Sequence, residues 1–242
     1  MLTLRCDVAG WKEFQWGLFM LSTANVVLRR PRKIERHLSR LRYWSWFRGK
    51  QFTTDWASEH FTLWRRVLFP LRNDATRILE IGSWEGRSAL FFLNFFPHAT
   101  ITCIDTFEGA IEHHESAAWA ANLPSIEERF DRNLAPFGIR VEKLKCSSAS
   151  GLRSLADQQR RFDLAYIDGS HVPEDVAIDS LGVWPLVVPG GVIIWDDYMF
   201  GVVHGNLPLG QRPQSAIDAF LSDRRYRLLA KGYQLIIEKA GQ

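Results

Sequence analysis

Cysteine is scarce in this sequence: Cys6, Cys103 and Cys146 are the only three among 242 residues. An odd number at wide spacing builds neither a disulfide framework nor a zinc site, and it suits a reducing compartment and a cytoplasmic protein. A long apolar run is missing as well. The stretch Phe14 to Leu28 is almost uncharged and rich in large apolar residues, but a spanning helix needs roughly 20 such residues. A secretory signal fits it poorly, because Arg5 and Lys12 are balanced by Asp7 and Glu13 and no small-residue cleavage site follows. It reads as a buried or interfacial helix. Internal repeats, low-complexity tracts and a G-x-G-x-x-G dinucleotide fingerprint are also lacking.

What is present is ordinary globular composition, 46% hydrophobic and 24% charged, with an unusual ten tryptophans. Disorder is excluded. The net charge of +3 conceals an uneven distribution: Arg29 to Lys50 holds nine Lys/Arg against Glu35 alone, so this neck carries +8 and residues 51–242 carry −5. Six of the ten Trp (Trp11, Trp16, Trp44, Trp46, Trp56, Trp64) lie in the first 70 residues. The expected organisation is a Trp-rich basic helical extension over 1–50 and one catalytic-size domain over 51–242. Three readings stand for the neck: a solvated helix face with aromatic packing, a homo-oligomer contact, or peripheral attachment to an anionic membrane through 14–50. Nucleic acid is not an expected partner, since the body is acidic.

After Pro70, short apolar runs alternate with longer helical patterns, the signature of a parallel sheet covered on both faces. Strands are expected at 77–81, 100–104, 140–145, 162–167, 191–195, 226–230 and 233–238. Helices are expected at 86–96, 125–135, 148–157, 173–184 and 213–222. Only Lys231-Gly232 separates the hairpin runs YRLLA and YQLIIEK, so the last two strands should be antiparallel neighbours.

Four of the parallel strands end in carboxylates: Glu80, Asp105, Asp168 and the pair Asp196-Asp197. Ligands of open α/β sheets sit outside the carboxyl ends of the strands, so these acids should converge on one rim. Each alone could be a turn former or helix cap. The first strand runs into Glu80-Ile-Gly82-Ser83-Trp84-Glu-Gly86-Arg-Ser88. Gly82 permits a tight turn, and Gly86 lets the next helix start close to the strand. Trp84 stands where a middle glycine would be, which disfavours pyrophosphate; its ring could equally pack in the core. Asp105, closing the second strand, can accept a pair of hydrogen bonds from ribose hydroxyls. Ser147 or Ser148 could cap the next helix, touch an adenine edge, or do both.

The runs LEIGSWEGRSALFF, ITCIDTFEG, YIDGSH and PGGVIIWDDY together resemble the metal-dependent small-molecule O-methyltransferases of class I. The likeness is nearest to the branch with macrolide-sugar O-methyltransferases and cephalosporin-hydroxylase-like proteins, with catechol O-methyltransferase more distant. It covers about residues 52–240, and TDWASEHFTLWRRVL resembles the helix that caps the cofactor site in that branch. The resemblance implies a Rossmann-like α/β fold with a seven-stranded, mostly parallel sheet and an antiparallel last strand, and S-adenosylmethionine as cofactor. It places Glu80, Gly82, Ser83 and Ser88 at the methionine end, Asp105 at the ribose and Ser147 and Ser148 near the adenine, with Trp84, Gly86 and Asp168 at the cofactor as well. It also implies a divalent metal on Asp168, Asp196 and Asp197 and a catalytic base at His171.

A set of carboxylates with no Cys or paired His nearby is a hard oxygen site suited to Mg²⁺. His171, three residues after Asp168, suits proton transfer near neutral pH, although a surface-loop role is the plain alternative. His113, His114 and His204 read as pocket walls or surface residues. The long segments Thr106–Ser125 and Tyr198–Arg212 should form substrate walls at the same rim. The acceptor is expected to be a small molecule or a sugar with a free hydroxyl. The alternatives are metal-independent N- or C-methyl transfer, or a non-catalytic cofactor-binding protein.

Overall fold

The computed structural model describes residues 32–110, 113–114 and 117–241; the expected helix at 14–28 lies outside them. In chain order the elements that position the site are α1 (Arg32–Arg42), α2 (Phe61–Leu68), β1 (Arg77–Ile81), α3 (Arg87–Phe95), β2 (Thr100–Asp105), α4 (Ile126–Leu134), β3 (Val141–Lys145), α5 (Ser148–Asp157), β4 (Phe162–Ile167), α6 (Pro173–Val183), β5 (Val187–Trp195), α7 (Pro213–Leu221), β6 (Tyr226–Lys231) and β7 (Leu235–Lys239).

Among the described residues the strands form one seven-stranded sheet in the order β3-β2-β1-β4-β5-β7-β6. The pairs from β3 through β5 are parallel, and β7 runs antiparallel to both β5 and β6. Period-two alternation sends Ile78, Leu164, Tyr166, Val192 and Ile194 to one face and Leu79, Ala165, Ile167, Ile193 and Trp195 to the other. Residues from α2, α3 and α4 cover the first face, and residues from α5, α6 and α7 the second. With both faces buried, β1, β4 and β5 read as nearly continuous apolar runs.

Two strand starts differ from expectation by more than one residue, each for a local reason. β5 begins at Val187 instead of 191, because Val187 pairs with Phe162 ahead of a register shift that absorbs Pro189, Gly190 and Gly191. β7 begins at Leu235 instead of 233, and Gly232 N–H donates to the Gln234 carbonyl at 2.9 Å. The hairpin turn is therefore wider than Lys231-Gly232. Tyr233 and Gln234 belong to the turn, not to the strand.

The Phe-rich helix α3 buries Ala89, Leu90, Phe91, Phe92, Leu93 and Phe95, more than one sheet face can cover. The extra cover comes from the neck. Tyr43 is buried with its ring 5.5 Å from Phe91 and 5.7 Å from Phe61, while Phe61 stacks on Phe91 at 4.4 Å. Polar staples fasten the same segment: Asp55 pairs with Arg40 at 2.5 Å and Arg87 at 2.8 Å, and Asn133 exchanges hydrogen bonds with both the N–H and the carbonyl of Gln51 at 2.8 Å. Buried Glu85 accepts from the Thr53 N–H and hydroxyl at 2.7 Å and from Arg129 at 2.5 Å. Residues 39–55 thus pack directly on the sheet domain, and the line drawn at residue 50 runs through this packing. No helix among the described residues is long and apolar enough to cross a membrane.

Candidate cofactor and metal site

The carboxyl ends of β1, β2, β4 and β5 meet because the parallel ladder continues one residue past each strand. Gly82 N–H donates to Ile104 (2.9 Å), Asp168 N–H to Ile81 (2.8 Å) and Asp196 N–H to Ile167 (3.0 Å). Gly82 sits at φ +79°, and a Cβ there would lie 2.0 Å from the Asp168 carbonyl oxygen. Only glycine permits this approach. Gly86, at φ +77°, caps α3 against the side chains of Phe130 and Leu134.

One side of the rim is built around Asp105 and Glu80. Asp105 Oδ2 accepts the N–H groups of Ser83 and Trp84 at 2.7 Å, and Oδ1 accepts the Phe107 N–H at 2.7 Å. The carboxylate therefore braces the glycine loop, and its remaining lone pairs are what it can offer a ribose. Glu80 is fully buried; Cys103 donates to its Oε2 at 3.4 Å, while its Oε1 and the Ser83 hydroxyl have no hydrogen-bond partner. Burial pushes Glu80 up to about 7. Orphaned buried polar atoms in a native protein call for an occupant, and a cofactor carrying an ammonium group matches a carboxylate and a hydroxyl. Trp84, in the left-handed region at φ 49°, packs its ring against Trp56 (5.4 Å) and His113 (4.7 Å). Ser147 caps α5 by accepting from Ser150 N–H at 3.4 Å. Cys146 N–H donates to the Asp105 carbonyl at 3.2 Å, which keeps Ser147 and Ser148 beside the end of β2.

The other side holds Asp168, Asp196 and Asp197, each offering an oxygen within 4.8 Å of the others. Tyr166 donates to Asp168 at 2.9 Å, Gln234 to Asp196, and Tyr233 to Asp197 Oδ1 at 2.6 Å. His171 Nε2 lies 2.8 Å from Asp197 Oδ2, and its ring stacks on Phe200 at 3.9 Å. Burial first, then repulsion from Asp196 and Asp197, pushes Asp168 well above the usual carboxylate range. Burial and Asp197 likewise raise Asp196 to about 8. Burial would raise Asp197 too, but His171, Tyr233 and His60 outweigh it and hold Asp197 low. Crowded carboxylates that resist shared ionisation are a fit for a hard divalent cation, whose charge reverses this preference.

The sequence pattern brought Glu80, Asp105, Asp168, Asp196, Asp197 and His171 to one rim, but not the groups that hold them. Tyr166 was detectable from period two, since it shares a strand with Asp168. Tyr233 and Gln234 follow from the antiparallel partnership of Trp195 with Leu235, once the turn is drawn wide enough. Buried His60 carried no local signal; its Nε2 is 3.9 Å from Asp196 Oδ1 and its ring lies parallel to Tyr233 at 5.9 Å. His113 joins the tryptophan group, and His204 lies near Phe200 and Tyr233. His114 is exposed, with Nε2 2.9 Å from the Glu108 carbonyl.

Residues 79–198 match the family described as a methyltransferase domain. Among solved structures the chain is similar to MycE methyltransferase from the mycinamycin biosynthetic pathway, in complex with Mg, SAH and mycinamycin VI (21% identity, 88% of this chain and 54% of that one, TM-score 0.55). It is also similar to the O-methyltransferase TomG from Streptomyces achromogenes in complex with SAM (18%, 95% and 99%, TM-score 0.55), and to SAH-bound PaMTH1 from Podospora anserina (16%, 100% of both chains, TM-score 0.54). The chain spans about half the length of MycE. A comparison with curated proteins finds no match. Residues 79–198 thus carry the methyltransferase-domain match, and the chain has the Rossmann-like α/β fold of these methyltransferase structures.

Proposed function

We propose that the chain is a class I S-adenosylmethionine-dependent methyltransferase that acts on a hydroxyl oxygen of a small molecule or sugar, using a divalent metal such as Mg²⁺ held by Asp168, Asp196 and Asp197 and His171 as the base. The observation that carries this reading is the packing of three carboxylates within 4.8 Å of one another, with His171 hydrogen-bonded to one of them, at the rim that also bears the glycine loop. The Mg and the macrolide in the MycE complex, and TomG being an O-methyltransferase, point the same way.

When bound, S-adenosylmethionine supplies an electrophilic methyl on a positive sulfur, and a divalent cation supplies Lewis acidity that eases ionisation of a hydroxyl. The chain's own residues do the rest. Glu80, Ser83 and Ser88 hold the methionine end, Asp105 the ribose, Ser147 and Ser148 the adenine side, with Gly82, Trp84 and Gly86 shaping the loop. An imidazole nitrogen of His171 takes the hydroxyl proton, and Asp197 steadies the ring and the imidazolium that results. Stacking on Phe200 restricts the ring further. The rim residues would align that oxygen with the methyl group the bound cofactor would supply. Trp56, Trp84 and Trp119, with ring centroids 5.2 to 5.4 Å apart in sequence of contact, screen this side from water.

A second reading, metal-independent transfer to nitrogen or carbon, draws on Asp196 being held near 8, so that a proton can relieve the acid cluster in place of a cation. Turnover of labelled S-adenosylmethionine across an acceptor panel, with and without chelator, separates the two. Asp168→Ala and His171→Ala should each lower kcat by about 10²–10⁴-fold, with S-adenosylhomocysteine still bound by the His171 variant. Near-wild-type turnover by both variants would sink the proposal, and chelator-insensitive turnover would favour the second reading.

A further inference from the structure

Helix α1 has two faces of opposite character. Ser39 and Tyr43 are buried, with Ser39 Oγ 3.4 Å from Thr62 Oγ1. Ile34, Leu38 and Leu41, at spacings i, i+4 and i+7, are 51%, 44% and 64% exposed, and Trp44 extends the stripe at 59%. A helix in a water-facing position should show polar residues there. Here the core-facing side is anchored through a serine and a tyrosine, and the large apolar side chains face outward.

The sequence that carries this stripe is as one-sided in charge as the stripe is in hydrophobicity. Arg29 to Lys50 contains nine Lys/Arg and a single acid, and Phe14 to Leu28, directly before it, is almost uncharged and apolar. Apolar residues on one helix face combined with dense basic charge define a helix that lies in a membrane interface. We infer that α1 is an interfacial anchor that lies in the plane of an anionic lipid bilayer, with Ile34, Leu38, Leu41 and Trp44 entering the acyl boundary and the net positive charge of the neck sequence drawing it to the headgroups.

Charge complementarity selects lipid over a second copy of the chain. Two copies meeting through this face would bring two +8 segments together, whereas an anionic leaflet attracts them, each Lys or Arg near its surface raising partition about fivefold. The anchor's own pairing supports a fixed orientation: Arg40 is tied to Asp55 at 2.5 Å, and Lys50 donates to the Asn133 carbonyl, so α1 is held on the domain and moves with it.

Flotation of the full chain with vesicles of equal parts phosphatidylglycerol and phosphatidylcholine, against phosphatidylcholine alone, tests the inference. Strong binding is expected on the anionic vesicles, dropping by about tenfold or more on neutral ones. The same drop is expected at 1 M salt, where the Debye length is about 3 Å. The double variant Leu38→Asp with Leu41→Asp should lose binding by at least about tenfold, with its thermal midpoint and S-adenosylhomocysteine affinity unchanged. If that variant is destabilised, Trp44→Ala serves in its place with a loss of several-fold. Equal flotation on neutral vesicles, or variants that float like wild type, would overturn the anchor. So would light scattering that shows a dimer dissolved by these variants with flotation unaltered, which assigns the stripe to a second copy.

Discussion

The two sides of the carboxyl rim satisfy their acids by different means. Asp105 takes three backbone N–H groups from Ser83, Trp84 and Phe107, so its environment is made by neighbouring main chain. Asp168, Asp196 and Asp197 take side chains instead: Tyr166, Gln234, Tyr233 and His171, from three separate stretches of sequence. Main-chain donors brace a loop and leave the carboxylate's remaining lone pairs free. Side-chain donors orient crowded carboxylates whose mutual repulsion, together with burial, raises two of the three. The first arrangement suits a ligand gripped by shape. The second fits the proposed cation and proton transfer.

The largest expected effect comes where both sides touch. Gly82→Ala places a Cβ against the Asp168 carbonyl at 2.0 Å in a left-handed backbone, so either the glycine loop or the end of β4 must shift. The expected cost is more than about 4 kcal/mol, read as loss of the cooperative unfolding transition in urea or a midpoint collapse, with both cofactor affinity and turnover lost. A stable Gly82→Ala protein with normal cofactor affinity would show that the two sides are not mechanically joined. Asp105→Ala should act on one side alone. Three N–H groups lose their acceptor, for about 3 kcal/mol of stability after partial rehydration, and S-adenosylhomocysteine affinity should fall while the acid cluster keeps its hydrogen bonds.

The same contrast explains what was legible in the sequence. The strand-end acids and the glycines could be read because a parallel sheet places every strand end on one rim and because the braces of Asp105 are local, within 22 residues of it. The seven strands, their parallel pattern and the closing antiparallel pair followed from apolar periodicity and a short turn. The supports of the acid cluster could not be read, since Gln234 lies 38 residues from Asp196 and is itself held by Trp64, 170 residues away. Placing it needed the true start of β7, and turn width is decided by hydrogen bonds such as Gly232 to Gln234 that apolar patterning does not encode. The depth to which the neck packs was equally hidden, because Tyr43 and Ser39 sit on a helix whose apolar residues point the other way.

A buried acid outside both arrangements supplies a smaller effect. Asp179 on α6 lies beneath Gly169, with Oδ1 unpartnered. Burial pushes it up to about 6, eased by the Ser148 hydroxyl and raised again by Asp175. Its folded form keeps a proton to higher pH than the unfolded chain. Its contribution to stability is therefore fully present below about pH 4 and is lost as pH rises through about 6. Asp179→Asn should gain about 2 kcal/mol over wild type at pH 8 and change little near pH 4. Urea unfolding at the two pH values checks this; a variant less stable at pH 8 would show that the ionised carboxylate has a partner.

The smallest effect tests whether side-chain support of the acids matters to chemistry alone. Tyr233→Phe removes the hydroxyl that donates to Asp197 at 2.6 Å but retains the ring parallel to His60 at 5.9 Å. Asp197 keeps its bond to His171, so the proposed base stays attached while its carboxylate gains freedom to turn. A charge-assisted hydrogen bond of this kind contributes about 1.5–2 kcal/mol. Turnover should therefore fall by about tenfold, with S-adenosylhomocysteine affinity at the wild-type value, because Glu80, Ser83 and Asp105 are untouched. A fall in cofactor affinity with turnover preserved would reverse the assignment, placing Tyr233 on the cofactor side of the rim and Asp197 with it.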